Sequence, residues 1–122
     1  HYRSSEDDAI KLQAQISAAG GIAHIVQADV AVRGEVVAMF DQIRQRSGRL
    51  DILINNVGEY KCGPLLDYPL EHFESALQTN LLGSLYCIKS ALSSTRLPAP
   101  VIPEPLSESA SGPTKSEAVL VN

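Results

Sequence analysis

The chain has 122 residues, 44% of them hydrophobic and 20% charged, with 10 basic against 14 acidic residues and a formal net charge of −4. That length is enough for one domain, which can bury roughly two-thirds of its unfolded surface. No run of basic residues points to a nucleic-acid partner, no apolar stretch approaches the roughly 20 residues of a membrane span, and the polar start His1–Asp8 is no secretory signal.

The elements follow in chain order. His1-Tyr2 reads as the end of a strand. Ser5-Glu6-Asp7-Asp8 is a capping-box-like helix start, with acids at the positive end of the helix. Ala9, Leu12, Ile16 and Ala19 then recur at helical spacing, and Gly20-Gly21 supplies the stop. Ile22–Ala28 is short, apolar and partly β-branched, which predicts a strand. A second helix starts near Arg33, carries Val36, Met39, Phe40 and Ile43 on one face, and ends at Gly48. Leu50–Ile54 is a near-continuous apolar run, the mark of a strand buried on both faces. A loop with Gly58, Gly63 and Pro64 follows. Pro69 suits a first helical position, and Phe73, Leu77, Leu81, Leu85, Ile88 and Leu92 stripe a third, longer helix. Beyond residue 92 the character changes. Five of the seven prolines lie there among many serines, so 93–114 reads as irregular, with helical periodicity returning at Lys115–Val121.

Strands alternating with helices predict an α/β fold, a doubly wound parallel sheet. Many functions share that pattern. Ligands of such a sheet sit beyond the carboxyl ends of its strands. Three groups fall there: Tyr2-Arg3-Ser4, Asp29-Val30, and Asn55-Asn56-Val57-Gly58. Each has a bland reading. Arg3 is a solvated charge, Asp29 a cap for the next helix, and the Asn/Gly group a turn that tolerates unusual backbone angles. Asn80, within an apolar helix, is an amide that needs a partner.

Taken together, Ala28-Asp29-Val30, Gly48–Gly58 and Thr79-Asn80, with Asn80 lying 25 positions after Asn55, resemble the short-chain dehydrogenase/reductases over residues 1–92. The resemblance implies a partial Rossmann-like, dinucleotide-binding domain at 1–92 and an irregular segment at 93–122. It implies hydride transfer between a nicotinamide cofactor and a small-molecule carbonyl or alcohol. Asp29 and Val30 would meet the cofactor's adenine, and Asn55, Asn56, Val57 and Gly58 its ribose, with Val57 where the family has alanine. The carbonyl of Asn80 would hold a water in a proton relay. Arg3 and Ser4 suit a 2′-phosphate beside a helix N-terminus. No acid stands at positions 1–5 to grip a free 2′-hydroxyl, so NADP is favoured over NAD. The helix 69–92 is where such proteins form homo-oligomers.

The departures are as informative. The family's first strand and glycine-rich turn have no counterpart in this sequence, which is expected to begin after them. The chain begins at His1 and its one methionine is Met39, so it reads as a piece of a longer product. In a doubly wound order the first strand lies between the second and fourth. Unpaired buried backbone is costly, so the chain alone is expected to be unstable or held by further material. Ser111-Gly112-Pro113-Thr114-Lys115 resembles the end of the family's Tyr-x-x-x-Lys element, with Lys115 as the lysine and Ser111 where the tyrosine belongs. A serine hydroxyl is a far weaker acid than a phenol. The competing reading is therefore a non-catalytic fragment or interaction module derived from such an enzyme. His24 and His72 read as structural or surface residues, and Tyr60 and Tyr68 as packing residues near the loop. Cys62 and Cys87 lack Cys-x-x-Cys spacing, which argues against a zinc site or disulfide framework and suits a reducing cytoplasm.

Overall fold

The computed structural model describes residues 1–94 and 118–121. Helix α1 spans Glu6–Ala18, with Glu6, Asp7 and Asp8 in its first turn. Ser5 is the N-cap but makes no side-chain cap bond, so the expected capping box does not form. Asp8 accepts instead from Lys11 at 3.2 Å. Gly20 takes a positive φ of 84°, which only glycine adopts freely, and turns the chain away. No residue of α1 is buried: Leu12 and Ile16 of the expected stripe are exposed, and so is Ile10 on another face.

Helix α2, Arg33–Ser47, buries Val36, Met39, Phe40 and Ile43, the face that the periodicity predicts. Gly48 ends it in the left-handed region, its N–H donating to the Arg44 carbonyl at 2.9 Å. Between the two helices, the strand expected over Ile22–Ala28 reduces to one parallel bridge, Tyr2 to Gln27. Tyr2 N–H donates to the Val26 carbonyl and Ala28 N–H to the Tyr2 carbonyl, each at 3.1 Å. Val26, Ala28 and Val30 are nonetheless buried. The segment runs as a strand would, but it meets too short a neighbour to extend the ladder.

Strand β1, Ile52–Asn55, pairs in parallel with β2, Ala118–Val121, in the register Ile52 to Ala118 through Asn55 to Val121. The helix expected over Lys115–Val121 is therefore corrected for its second half. Val119-Leu120-Val121 is apolar and partly β-branched, and a parallel partner supplies hydrogen bonds that a lone helical turn could not hold. Leu50 is buried and Leu53 packs on the core, but Ile52 and Ile54 stay about half exposed. Thus β1 is covered on one face only, not two, because no described helix packs across Ile52 and Ile54.

The third helical stretch is one path of three parts: α3 at Leu70–Ala76, a π-helical turn at Leu77–Gly83, and α4 at Ser84–Ser94. Pro69 stands just ahead of α3 as its N-cap. Cys87 and Ala91 of α4 pack with the buried face of α2, closing a core that includes Val26, Ala28, Val30 and Leu50. Among the described residues the Tyr2–Gln27 pair and the β1–β2 pair share no ladder. This is the pattern expected of a doubly wound sheet that is incomplete at its centre.

Gly83 sets the distance between the π turn and the loop after Ala28. A Cβ there would lie 3.0 Å from the Val30 side chain and 3.2 Å from its carbonyl oxygen. Alanine is the better helix former by about 1 kcal/mol, while overpacking a tight contact costs about 1–3 kcal/mol. Because a backbone carbonyl cannot swing aside, the second effect wins. Gly83→Ala is expected to lower the urea midpoint, a net loss of about 1 kcal/mol; an unchanged midpoint would show that the loop yields.

Candidate functional site

Two loops meet the π turn, one following Ala28 and one following β1. The first begins at Asp29, half-buried between buried Ala28 and Val30. Its N–H donates to Glu35 Oε2 at 2.7 Å, and its Oδ1 accepts from the Ala31 N–H at 2.9 Å, an Asx turn. One carboxylate oxygen is committed in this way. The other takes no hydrogen bond among the described residues. The bland and the functional readings of Asp29 are therefore compatible. Gln78 Nε2 donates to the Ala31 carbonyl at 2.8 Å, and Val30 lies against Gly83, so this loop is fastened to the π turn at two points.

The second loop follows β1. Asn55, Asn56 and Gly58 are exposed, while Val57 tucks against the core. No heavy atom lies within 4 Å of where a Gly58 Cβ would stand, so the ground above it is open. At Glu59 the chain meets Asn80. The Glu59 N–H donates to Asn80 Oδ1 at 2.7 Å, and Asn80 Nδ2 donates to the Glu59 carbonyl at 2.9 Å. One side-chain amide thus satisfies both backbone groups of a residue that has left its strand, as a neighbouring strand would. This is the partner that an amide inside an apolar helix needs. The Asn80 carbonyl itself accepts from Ser84 Oγ at 3.0 Å, and a carbonyl's second lone pair can take one more donor.

The Glu59 carboxylate adds a second layer. Its Oε2 accepts from Ser75 Oγ at 2.8 Å and Thr79 Oγ1 at 3.5 Å, and its Oε1 lies 3.3 Å from Lys61 Nζ. The Ser75 hydroxyl, and then the Lys61 bond and charge, hold it below the usual carboxylate range, with a smaller contribution from the positive charge of Arg3. Arg3 and Ser4 are exposed ahead of α1, where the Arg3 carbonyl accepts from Gln27 Nε2 at 3.0 Å. The Arg3 guanidinium makes no ion pair among the described residues.

The predicted residues thus divide. Asp29 and Val30, Asn55 to Gly58, and Asn80 belong to loops joined through one turn, and Arg3 is within electrostatic reach. Lys115 and Ser111 lie outside the described residues. Glu59, Lys61 and Ser75 escaped the sequence reading. The signal for them is an acid directly after Gly58, together with Ser75 and Thr79 four apart on one helical face. Among the described residues no three metal-ligating side chains gather.

Beside this junction is an open cavity of about 410 Å³, lined by Glu59, Tyr60, Cys62, Tyr68, Phe73 and Asn80 among others. Tyr68 packs edge-on against Phe73 and His72, with centroids 4.6 and 5.4 Å apart, and donates from its Oη to the Lys61 carbonyl at 2.9 Å. Cys62 Sγ donates to Tyr60 Oη at 2.9 Å on the exposed rim. Cys87 is different: it is buried, and desolvation pushes its thiol up to about 11. Only the thiolate reacts, and near pH 8 a thiol of that kind is ionised about one part in a thousand. Brief iodoacetamide treatment at pH 8 is therefore expected to alkylate Cys62 and spare Cys87, read by peptide mass. Equal labelling of both would contradict the packing of α4 on α2.

Comparison with known proteins accords with this geometry. The short chain dehydrogenase family matches residues 1–97. An uncharacterised oxidoreductase of Methylorubrum extorquens is 35% identical over 91 residues, which is 75% of this chain and 37% of that protein. A 3-oxoacyl-[acyl-carrier-protein] reductase of Staphylococcus aureus is 32% identical over the same shares of each. Among solved structures, a short chain dehydrogenase of Burkholderia cenocepacia in complex with NADP superposes with a TM-score of 0.73 at 31% identity, over 77% of this chain and 38% of that one. A Serratia marcescens short-chain dehydrogenase/reductase variant gives 0.74 at 26%, over the same shares. The chain spans little more than a third of the length of each of these relatives. It belongs to the short-chain dehydrogenase/reductase family and carries part of its Rossmann fold.

Proposed function

We propose that this chain forms the nucleotide-binding part of an NADP-dependent oxidoreductase that moves hydride between the nicotinamide and a carbonyl or alcohol carbon of a small molecule. The observation that carries this reading is the junction at the π turn. It draws the loop at Asp29 and the loop at Asn55–Gly58 to one region beyond the carboxyl end of β1, where a parallel sheet binds its ligands.

The residues present fit the group. Asp29 keeps one carboxylate oxygen for an amine donor, which the adenine of a dinucleotide supplies. Val30 stands beside it. Asn55, Asn56, Val57 and Gly58 offer amides and open ground for a ribose. Arg3, exposed and in no ion pair among the described residues, and Ser4 offer a cation and a hydroxyl for a 2′-phosphate, which favours NADP over NAD. The bound nicotinamide would supply the hydride chemistry. The chain's own residues orient and hold. Asn80 fixes Glu59 with its side chain, and its carbonyl can position a water for proton relay. Lys115, which stands where the resemblance puts the family's lysine, would be the lysine of that relay.

The NADP in the Burkholderia neighbour and the ketone-bearing 3-oxoacyl substrate named for the Staphylococcus relative support this reading over that of an interaction module. The partner we expect besides substrate is a second copy of the chain. Leu70, Leu77, Leu81, Leu85 and Leu92 form an exposed apolar stripe along the helix 69–92, a surface that marks an interface. No described helix is long and apolar enough to cross a membrane, and two free cysteines suit the cytoplasm.

Calorimetric titration with NADPH tests the cofactor, and NADPH oxidation with a panel of ketones tests the reaction. Asp29→Ala is expected to weaken NADPH binding about tenfold, the loss of one hydrogen bond to a charged group. No binding by a folded sample would overturn the proposal.

A further inference from the structure

We infer that Glu59 is a positioning residue whose carboxylate latches the loop Glu59–Gly63 to the helical path, so that this loop forms one wall of the pocket a substrate would enter. The identity of the occupant rests on the oxidoreductase reading; the latch does not.

The loop is held at both ends, by different chemistry. At its start, Asn80 clasps the backbone of Glu59, while the carboxylate takes hydroxyls from Ser75 on α3 and Thr79 on the π turn. At its far end, Tyr68 Oη holds the Lys61 carbonyl, and the Tyr68 ring stands 3.0 Å from where a Gly63 Cβ would be. Between the two anchors lie Tyr60 and Cys62, both lining the cavity. The wall therefore depends on each anchor. Of the two, the Glu59 anchor can be released by a proton.

The charged and polar groups facing that carboxylate are Lys61 from its own loop, Arg3 from the segment before α1, and Ser75 and Thr79 from the helical path. Both charges are positive and both hydroxyls donate, so all of these favour the ionised form. A carboxylate with a lowered pKa stabilises its partners above its ordinary range. That contribution is lost as pH falls through the lowered value. The Asn80 clasp has no titrating atom, but once the carboxylate lets go it holds Glu59 alone, and the bond from the Glu59 N–H to Asn80 Oδ1 opens more often. Acid is therefore expected to loosen the wall without unfolding the chain.

The test is amide hydrogen exchange by NMR on the full chain, comparing wild type with Glu59→Gln and Ser75→Ala. Glu59→Gln keeps the shape and removes the charge. Protection of the amide at position 59 is expected to fall about tenfold in it, with Val36 and Phe40 of α2 unchanged. Wild-type protection at position 59, corrected for intrinsic exchange, is expected to drop as pH is lowered through the carboxylate titration, and to stay flat in Glu59→Gln. In NADPH oxidation with ethyl acetoacetate, Glu59→Gln is expected to raise KM several-fold with kcat within twofold. Unchanged protection in both variants, or a fall in kcat with KM constant, overturns the latch. Absence of turnover in wild type overturns the oxidoreductase reading instead, and the exchange result then decides the latch alone.

Discussion

The π-helical turn at Leu77–Gly83 is the constraint on which the remaining geometry depends. A π turn carries more residues per turn than an α-helix. Were the path α-helical throughout, the residues beyond it would rotate by about 100° for each residue dropped, given 3.6 residues per turn. Cys87 and Ala91 could then face α2 only if Gln78 and Asn80 turned away from the loops. The turn lets both sets of contacts exist on one continuous helix. It gives α4 its buried face, and it aims two amides and one glycine at the loops that follow the strands. Such turns are rare and occur often at functional sites, which suits its place here.

A second constraint works against the first. Among the described residues β1 has a ladder partner on one edge, β2, while the Tyr2–Gln27 pair stands apart. Among the described residues nothing covers the face of the sheet opposite α2 and α4: Ile52 and Ile54 are half exposed, and Leu12 and Ile16 of α1 are exposed too. Backbone groups at an open edge and uncovered apolar area both cost free energy. The core between α2 and α4, centred on Phe40 and Met39, has to offset these costs alone. The described part of the chain is thus a well-packed half-sandwich with an open back.

Much of this was legible in the sequence. The buried face of α2 follows from 3.6-residue periodicity, and Gly20 and Gly48 mark the ends where a left-handed residue is needed. The stripe expected to face the core on the long helix, Phe73, Leu77, Leu81, Leu85, Ile88 and Leu92, is exposed instead, because the small residues Thr79, Gly83, Cys87 and Ala91 let the opposite face approach the core closely. Asp29, Asn55 to Gly58 and Asn80 were legible as a set because their residue types and spacing recur in a known family. What stayed hidden is non-local. Residues 118–121 form a strand because β1 lies beside them, and a four-residue apolar run does not reveal that by its own period. The run 22–28 would make a longer strand beside a longer neighbour than Tyr2. The π turn has no sequence period of its own. Nothing local marks Glu59, since its helical partners lie 16 to 21 residues away.

On the proposed function, the loops at Asp29 and at Asn55–Gly58 form one nucleotide site because the π turn joins them. The direct measurement is an NMR titration of the full chain with NADP⁺, following backbone amides. The account predicts shifts at Asp29, Val30 and Asn55–Gly58 that saturate together with one Kd, while Ile43–Ser47 at the far end of α2 stay unmoved. No shifts, shifts confined to the groove between α2 and α4, or two loops saturating at different concentrations would contradict it.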